Sequence, residues 1–111
     1  MKVTEVSPPG LDRRESHRVR YFAEVAIEWG ASVLRARIAD ISLGGMLVEM
    51  ANPLWLGAEF LARLALDNGP PVEVTCVVRR IVPSVGMRVE FTDLKPADHT
   101  RLRQLIESLP H

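Results

Sequence analysis

Alternation governs the middle of the chain. Val25, Ile27 and Trp29 stand in step against Glu24, Ala26 and Glu28, the two-residue period of a strand with one buried face. "WGAS" then turns the chain, and Leu34, Ala36 and Ile38 alternate with Arg35 and Arg37. Beyond "DISLGG", Met46, Val48 and Met50 share a face, with Leu47 and Glu49 opposite. "ANPLWLG" reads as a loop. "EFLARLAL" fits helix or strand by pattern alone, and the "DNGPP" behind it has the form of a hairpin turn and favours strand. "VEVTCVVRRIV" is β-branched, with Val72, Val74, Cys76 and Val78 on one side. "PS" turns once more, and Val85, Met87, Val89 and Phe91 alternate with Arg88 and Glu90. Six strands in about 75 residues, joined by short turns, predict a mainly-β fold: a small antiparallel barrel or sandwich.

The two ends obey other rules. Leu102, Leu105, Ile106 and Leu109 recur at helical spacing, Pro96 suits a first helical turn, and Pro110 ends the pattern. A C-terminal helix over about 96–109 is expected, covering an open end or side of the barrel. Residues 1–18 have no sustained period, and "SPPG" can continue neither helix nor sheet interior. They read as a flexible arm, with 19–111 as the folded domain.

Composition narrows the function more than the fold. The chain has 111 residues, 14 basic and 14 acidic, with no net charge, so no global field draws it to nucleic acid or an anionic membrane. One cysteine allows no internal disulfide and fits a reducing compartment. No apolar run nears the ~20 residues of a membrane span, and "MKVTEVSPPGLD" lacks the apolar core of a signal peptide. The expected location is therefore cytoplasmic, without membrane insertion. Catalytic signatures are missing: Ser42 lies on no nucleophile elbow, and His17, His99, His111 and Cys76 have no metal-ligand spacing. Aromatic residues are 5%, and Trp29 and Trp55 are not set among arginines, which counts against a nucleic-acid-binding barrel.

Two stretches concentrate chemistry. "DRRESHRVR" packs four arginines into nine positions of an otherwise neutral chain. Guanidinium binds phosphate bidentately and takes guanine O6 and N7 in the same forked geometry. The plain alternative is a solvated basic arm. In "DISLGG", a carboxylate can accept from the N1–H and N2–H of a guanine edge, while bare glycine backbone allows close approach of a base or phosphate. The plain alternative is a tight turn in which Asp and Ser bond the backbone and glycine supplies positive φ.

Together, Arg14-x-x-x-Arg18, 21 intervening residues and Asp40-x-Ser42-x-x-Gly45 resemble the two-part signature of the PilZ domain, a family that binds the bacterial second messenger cyclic di-GMP. The resemblance runs over about 13–109 and includes "VGMRVEF" before a terminal helix. It implies a six-stranded antiparallel β-barrel with a C-terminal helix and a non-catalytic receptor, without a cofactor, for cyclic di-GMP. By that resemblance Arg14 and Arg18 hold phosphates and guanines, Asp40 and Ser42 meet a guanine edge and nearby phosphate, and Gly44 and Gly45 keep the backbone low. Arg80 and Arg88, on later strands, are candidates for further contacts. Arginine at position 13, just before the motif, implies two stacked nucleotides per chain. The resemblance further implies output through a ligand-altered surface offered to an unidentified downstream protein. The competing reading is a PilZ-like interaction module whose nucleotide site is vestigial.

Overall fold

A computed structural model describes residues 17–110. The strands are β1 (Val19–Trp29), β2 (Ser32–Ile41), β3 (Gly45–Glu49), β4 (Glu59–Leu64), β5 (Val72–Val82) and β6 (Gly86–Phe91), with α1 (Pro96–Ser108) after them. All pairings are antiparallel, and the strands close into a barrel in the order β1-β2-β3-β6-β5-β4. Closure leaves no free sheet edge. The six-stranded barrel and the terminal helix match the sequence expectation. The arm expected over residues 1–18 falls largely on 1–16, outside the described residues; His17 and Arg18 are exposed and carry no regular structure.

The apolar period does the work it predicts. Val19, Tyr21, Val25 and Ile27 point inward from β1, and Val72, Val74, Cys76 and Val78 from β5, all of them at most 5% exposed. Each such aliphatic side chain contributes about 1.5–3 kcal/mol over leaving it in water. From α1, Leu102, Leu105 and Ile106 join the same core. Proline stands in the first turn of α1, where no intrahelical N–H is needed. The helix is also tied to the β4–β5 connection: Asn68 Nδ2 donates to the Arg101 carbonyl at 3.1 Å, and Arg101 Nη2 donates to Asn68 Oδ1 at 3.2 Å.

The hairpins show why the turns fall where they do. Trp29 pairs with Ser32 across Gly30-Ala31, and Gly30 has φ 60°, which a two-residue hairpin needs at its first central position. At the β5–β6 turn, Val85 N donates to the Val82 carbonyl at 3.1 Å with Pro83 and Ser84 between. Ser84 takes φ 65° there, a conformation that normally favours glycine. Val85 therefore belongs to the turn and is 37% exposed; the inward face of β6 begins at Met87, not at Val85.

Candidate functional site

Strict alternation would send two polar residues into the barrel. Asp40 lies two residues after inward Ile38, and Arg80 two after inward Val78. Bulges prevent this. Between Ile38 and Asp40, β2 carries one residue more than β3, and between Val78 and Arg80, β5 carries one more than β6. A third irregularity lies in β1 between Arg20 and Ala23. A bulge inserts one unpaired residue and re-aims the side chains beyond it. Ile41 thereby regains the core at 0% exposure while Asp40 turns outward.

The register then aligns a transverse row. Arg20 pairs with Asp40, Asp40 with Leu47, Leu47 with Arg88, and Arg88 with Arg80. The row crosses β1, β2, β3, β6 and β5 on the outer face. Within it, Arg88 reaches over half-buried Leu47 to Asp40: Nη1 donates to Oδ1 at 3.2 Å and Nη2 to Oδ2 at 3.1 Å. Strand spacing of about 4.8 Å means the two backbones stand roughly 9.6 Å apart, a gap a long arginine spans.

Below the row, the Ser42–Gly45 turn is closed by its own serine. The Ser42 hydroxyl accepts from Gly44 N at 3.3 Å and Gly45 N at 3.2 Å, and Ser42 N donates to the Gly45 carbonyl at 2.8 Å. Ser42 is only 5% exposed. Of the two roles open to these glycines, positive φ is not the one the structure uses. Positive φ is found at Gly30, Gly57 and Gly69, not at Gly44 or Gly45. Gly45 is required by proximity, because a Cβ there would lie 2.0 Å from the Val89 carbonyl oxygen on β6. No side chain fits where β3 first meets β6.

These elements border a cleft of about 640 Å³ lined by Arg18, Ser42, Gly44, Gly45, Arg79, Arg80 and Arg88, together with Glu90. Its size suits a small-molecule ligand. Of the residues singled out in the sequence, the structure brings together Arg18, Ser42, Gly44, Gly45, Arg80 and Arg88, with Asp40 joined through Arg88. Arg13 and Arg14 lie outside the described residues. Arg79 was missed. It stands at the β5 bulge and donates from Nε to Glu90 at 2.6 Å. The available signal was "RR" in an alternating strand, since one of two consecutive arginines must break the period. Four guanidiniums thus face the carboxylates of Glu90 and Asp40, leaving the cleft locally cationic. Among the described residues no His/Cys/Asp/Glu group could hold a metal.

A larger cleft, about 1040 Å³, lies elsewhere, along Glu24, Arg35, Arg37, Glu49, Arg63 and the Ile81–Gly86 turn. It holds none of the signature residues. Arg37 and Glu49, which line it, are already paired at 2.6 Å. Size alone would choose this cleft, but the chemistry favours the smaller one.

Comparison with known proteins bears on the family and the fold. The sequence model of the PilZ domain matches residues 12–108. Among solved structures, the inhibitor of motility MotI/DgrA of Bacillus subtilis superposes with TM-score 0.66 at 25% identity, over 78% of this chain and 46% of that one. YcgR of Escherichia coli in complex with c-di-GMP gives TM-score 0.72 at 22% identity, over 86% of this chain and 45% of that one. The PilZ domain of YcgR with c-di-GMP gives 0.66 at 21% identity, over 86% of this chain and 90% of that one. The chain thus spans about half the length of the first two proteins. No curated protein matches the sequence.

Proposed function

The chain belongs to the PilZ domain family, and on that premise we propose that it is a non-catalytic receptor for cyclic di-GMP. One observation carries the reading. A bulged barrel face gathers Arg18, Asp40, the Ser42–Gly45 turn, Arg80 and Arg88 beside one small cationic cleft, and these are the groups a guanine edge and a phosphodiester need. Asp40 accepts from guanine N1–H and N2–H. Arg18 and Arg80 face the phosphates, and Arg14, preceding Arg18 in the signature, completes the grip. The low backbone at Gly44 and Gly45 admits the ligand. Arg13 supports two stacked nucleotides per chain, since a further guanidinium can cap the outer base and offset the added charge.

In this reading the domain works in the cytoplasm and signals by offering a ligand-altered surface to a downstream protein. Among the described residues no helix is long and apolar enough to cross a membrane. Calorimetric titration with cyclic di-GMP tests the receptor reading and reports stoichiometry together with affinity. Arg18→Ala should weaken binding about tenfold to a hundredfold, since hydrogen bonds to charged groups contribute about 1.5–3 kcal/mol. No heat from wild-type protein at ~100 µM nucleotide, which would put any binding weaker than about −5.5 kcal/mol, sinks the reading. A plateau at one nucleotide per chain removes only the stacked pair, and Arg13→Leu should produce that plateau.

A further inference from the structure

The Asp40 carboxylate, the proposed acceptor for a guanine edge, is already occupied. Arg88 holds it end-on, with its two Nη groups on the two carboxylate oxygens at 3.2 and 3.1 Å. The Watson–Crick edge of guanine offers a carboxylate the same thing: two parallel N–H donors, N1–H and N2–H. Arg88 therefore presents Asp40 with the donor pattern of the ligand. Its placement is unlike that of the other ion pairs. The two side chains of the Arg88–Asp40 pair are 24% and 21% exposed, whereas those of the Arg37–Glu49, Arg63–Glu28, Arg63–Glu73 and Arg79–Glu90 pairs are all at least 33% exposed.

From this geometry, and resting on the receptor reading, we infer that Arg88 is an internal stand-in for guanine: it closes Asp40 in the free domain and must be displaced when the nucleotide enters. Displacement has a cost that the ligand has to meet. Arg88 faces Arg80 directly across β5 and β6, and like charges in that position repel. With Asp40 withdrawn, Arg88 stands beside another cation in a cationic cleft. A phosphate restores its counter-charge. Guanine and phosphate are thus needed together, guanine to take Asp40 and phosphate to take Arg88. Guanosine without phosphate leaves Arg88 unpaired. An adenine dinucleotide supplies phosphate but lacks the paired N–H edge, so Arg88 stays on Asp40. Selectivity comes from this exchange as well as from direct contact.

Guanosine is the discriminating probe, because it competes for Asp40 and has no phosphate to lose. Chemical-shift titrations with guanosine, adenosine and cyclic di-GMP are run on wild type, Arg88→Met and Arg88→Lys. In Arg88→Met, guanosine should bind about two- to fivefold more tightly than in wild type, the range expected when one partly exposed competing ion pair is removed. Adenosine should not change. The advantage of cyclic di-GMP over guanosine should narrow about tenfold, since the variant also lacks the phosphate partner. Arg88→Lys keeps the charge but not the fork, so guanosine binding should again strengthen, by less. Should Arg88→Met fail to fold, the lysine variant decides alone. Guanosine binding that is unaltered or weaker in the folded variants overturns the inference while leaving the receptor intact. Failure of wild type to bind cyclic di-GMP overturns the receptor reading, and this inference with it.

Discussion

Ser42→Ala should destabilise the free domain before it says anything about the ligand. The hydroxyl is the partner of the Gly44 and Gly45 amides, at 3.3 and 3.2 Å, in a turn where Ser42 is 5% exposed. Gly45 cannot find a new partner by moving onto β6, because it already stands as close to Val89 as bare backbone permits. Each bond is near the long end of the range, so each contributes at the lower end of about 0.5–1.5 kcal/mol, while a buried amide left unpaired costs about 1–3 kcal/mol. Water can reach the half-buried Gly44 amide and restore part of the loss. A net cost of about 1–2 kcal/mol remains, lowering the melting temperature of a domain this size by roughly 4–16 °C. Thermal unfolding monitored by circular dichroism, without nucleotide, measures this. A variant melting within about 1 °C of wild type, a shift too small for even a few tenths of a kcal/mol, refutes the assignment of the hydroxyl to the turn. In that case any loss of affinity in the variant reports direct ligand contact. If instead the melting point falls as expected, part of the affinity loss belongs to a loosened turn.

Other parts of the molecule give three further expected outcomes. Asp40→Ala should narrow the preference for cyclic di-GMP over cyclic di-AMP more than it lowers the melting point, because partly exposed ion pairs contribute about 1 kcal/mol or less; paired titrations and melts check this, and a variant that simply unfolds speaks for a turn role. Ser84→Gly should raise stability by about 1 kcal/mol in urea unfolding, since φ 65° costs a side-chain-bearing residue about that much. Cys76, at 0% exposure, has its thiol pushed up to about 12, first by burial and then by Asp93. The folded thiol keeps its proton where the unfolded one, with its ordinary value of 9.0, has lost it. Cys76 therefore stabilises fully below pH 9, and between pH 9 and about 12 its contribution falls by about 1.4 kcal/mol per pH unit. Comparing alkaline unfolding of wild type and Cys76→Ala isolates the effect, and equal alkaline slopes would contradict it.

How far the sequence reached can be judged residue by residue. Inward residues of β1 and β5 were legible because a two-residue period records burial directly, as Val25, Ile27, Val74 and Cys76 show. Carried on to Asp40 and Arg80, the same period would point both side chains inward, and the structure turns both outward. A bulge adds one residue to one strand, and nothing in local composition announces it; only the register against the neighbouring strand does. The sole trace was energetic: a carboxylate and a guanidinium placed by the period inside an apolar barrel cannot remain there. Val85 was misplaced for the opposite reason, since its hydrophobicity suits the period while the chain is already turning. The signature glycine was singled out for positive φ or for the close approach of a ligand; the structure excludes the first at Gly45 and adds a packing reason. Its need is set by Val89, 44 residues away in sequence, and no single-sequence pattern shows a close approach across strands. The Asp40–Arg88 pair, reaching over an intervening strand, was beyond pattern reading altogether.

The bulges also bear on how a neutral chain can hold a charged ligand. With 14 basic and 14 acidic residues, the domain exerts no net long-range pull on polyanions. At physiological salt, fields fade within about 8 Å, so only what the barrel places side by side can act together. Three irregularities in β1, β2 and β5 gather arginines beside the Asp40 row, and two of the cationic groups are spoken for there by Asp40 and Glu90. A long polyanion would gain little from so small a patch in a neutral surface. A compact ligand that brings negative charge and a paired N–H edge to the same few ångströms can use all of it. On the proposed receptor reading, local charge built by register inside a chain balanced overall would suit a small nucleotide better than a nucleic acid, by geometry rather than by net attraction.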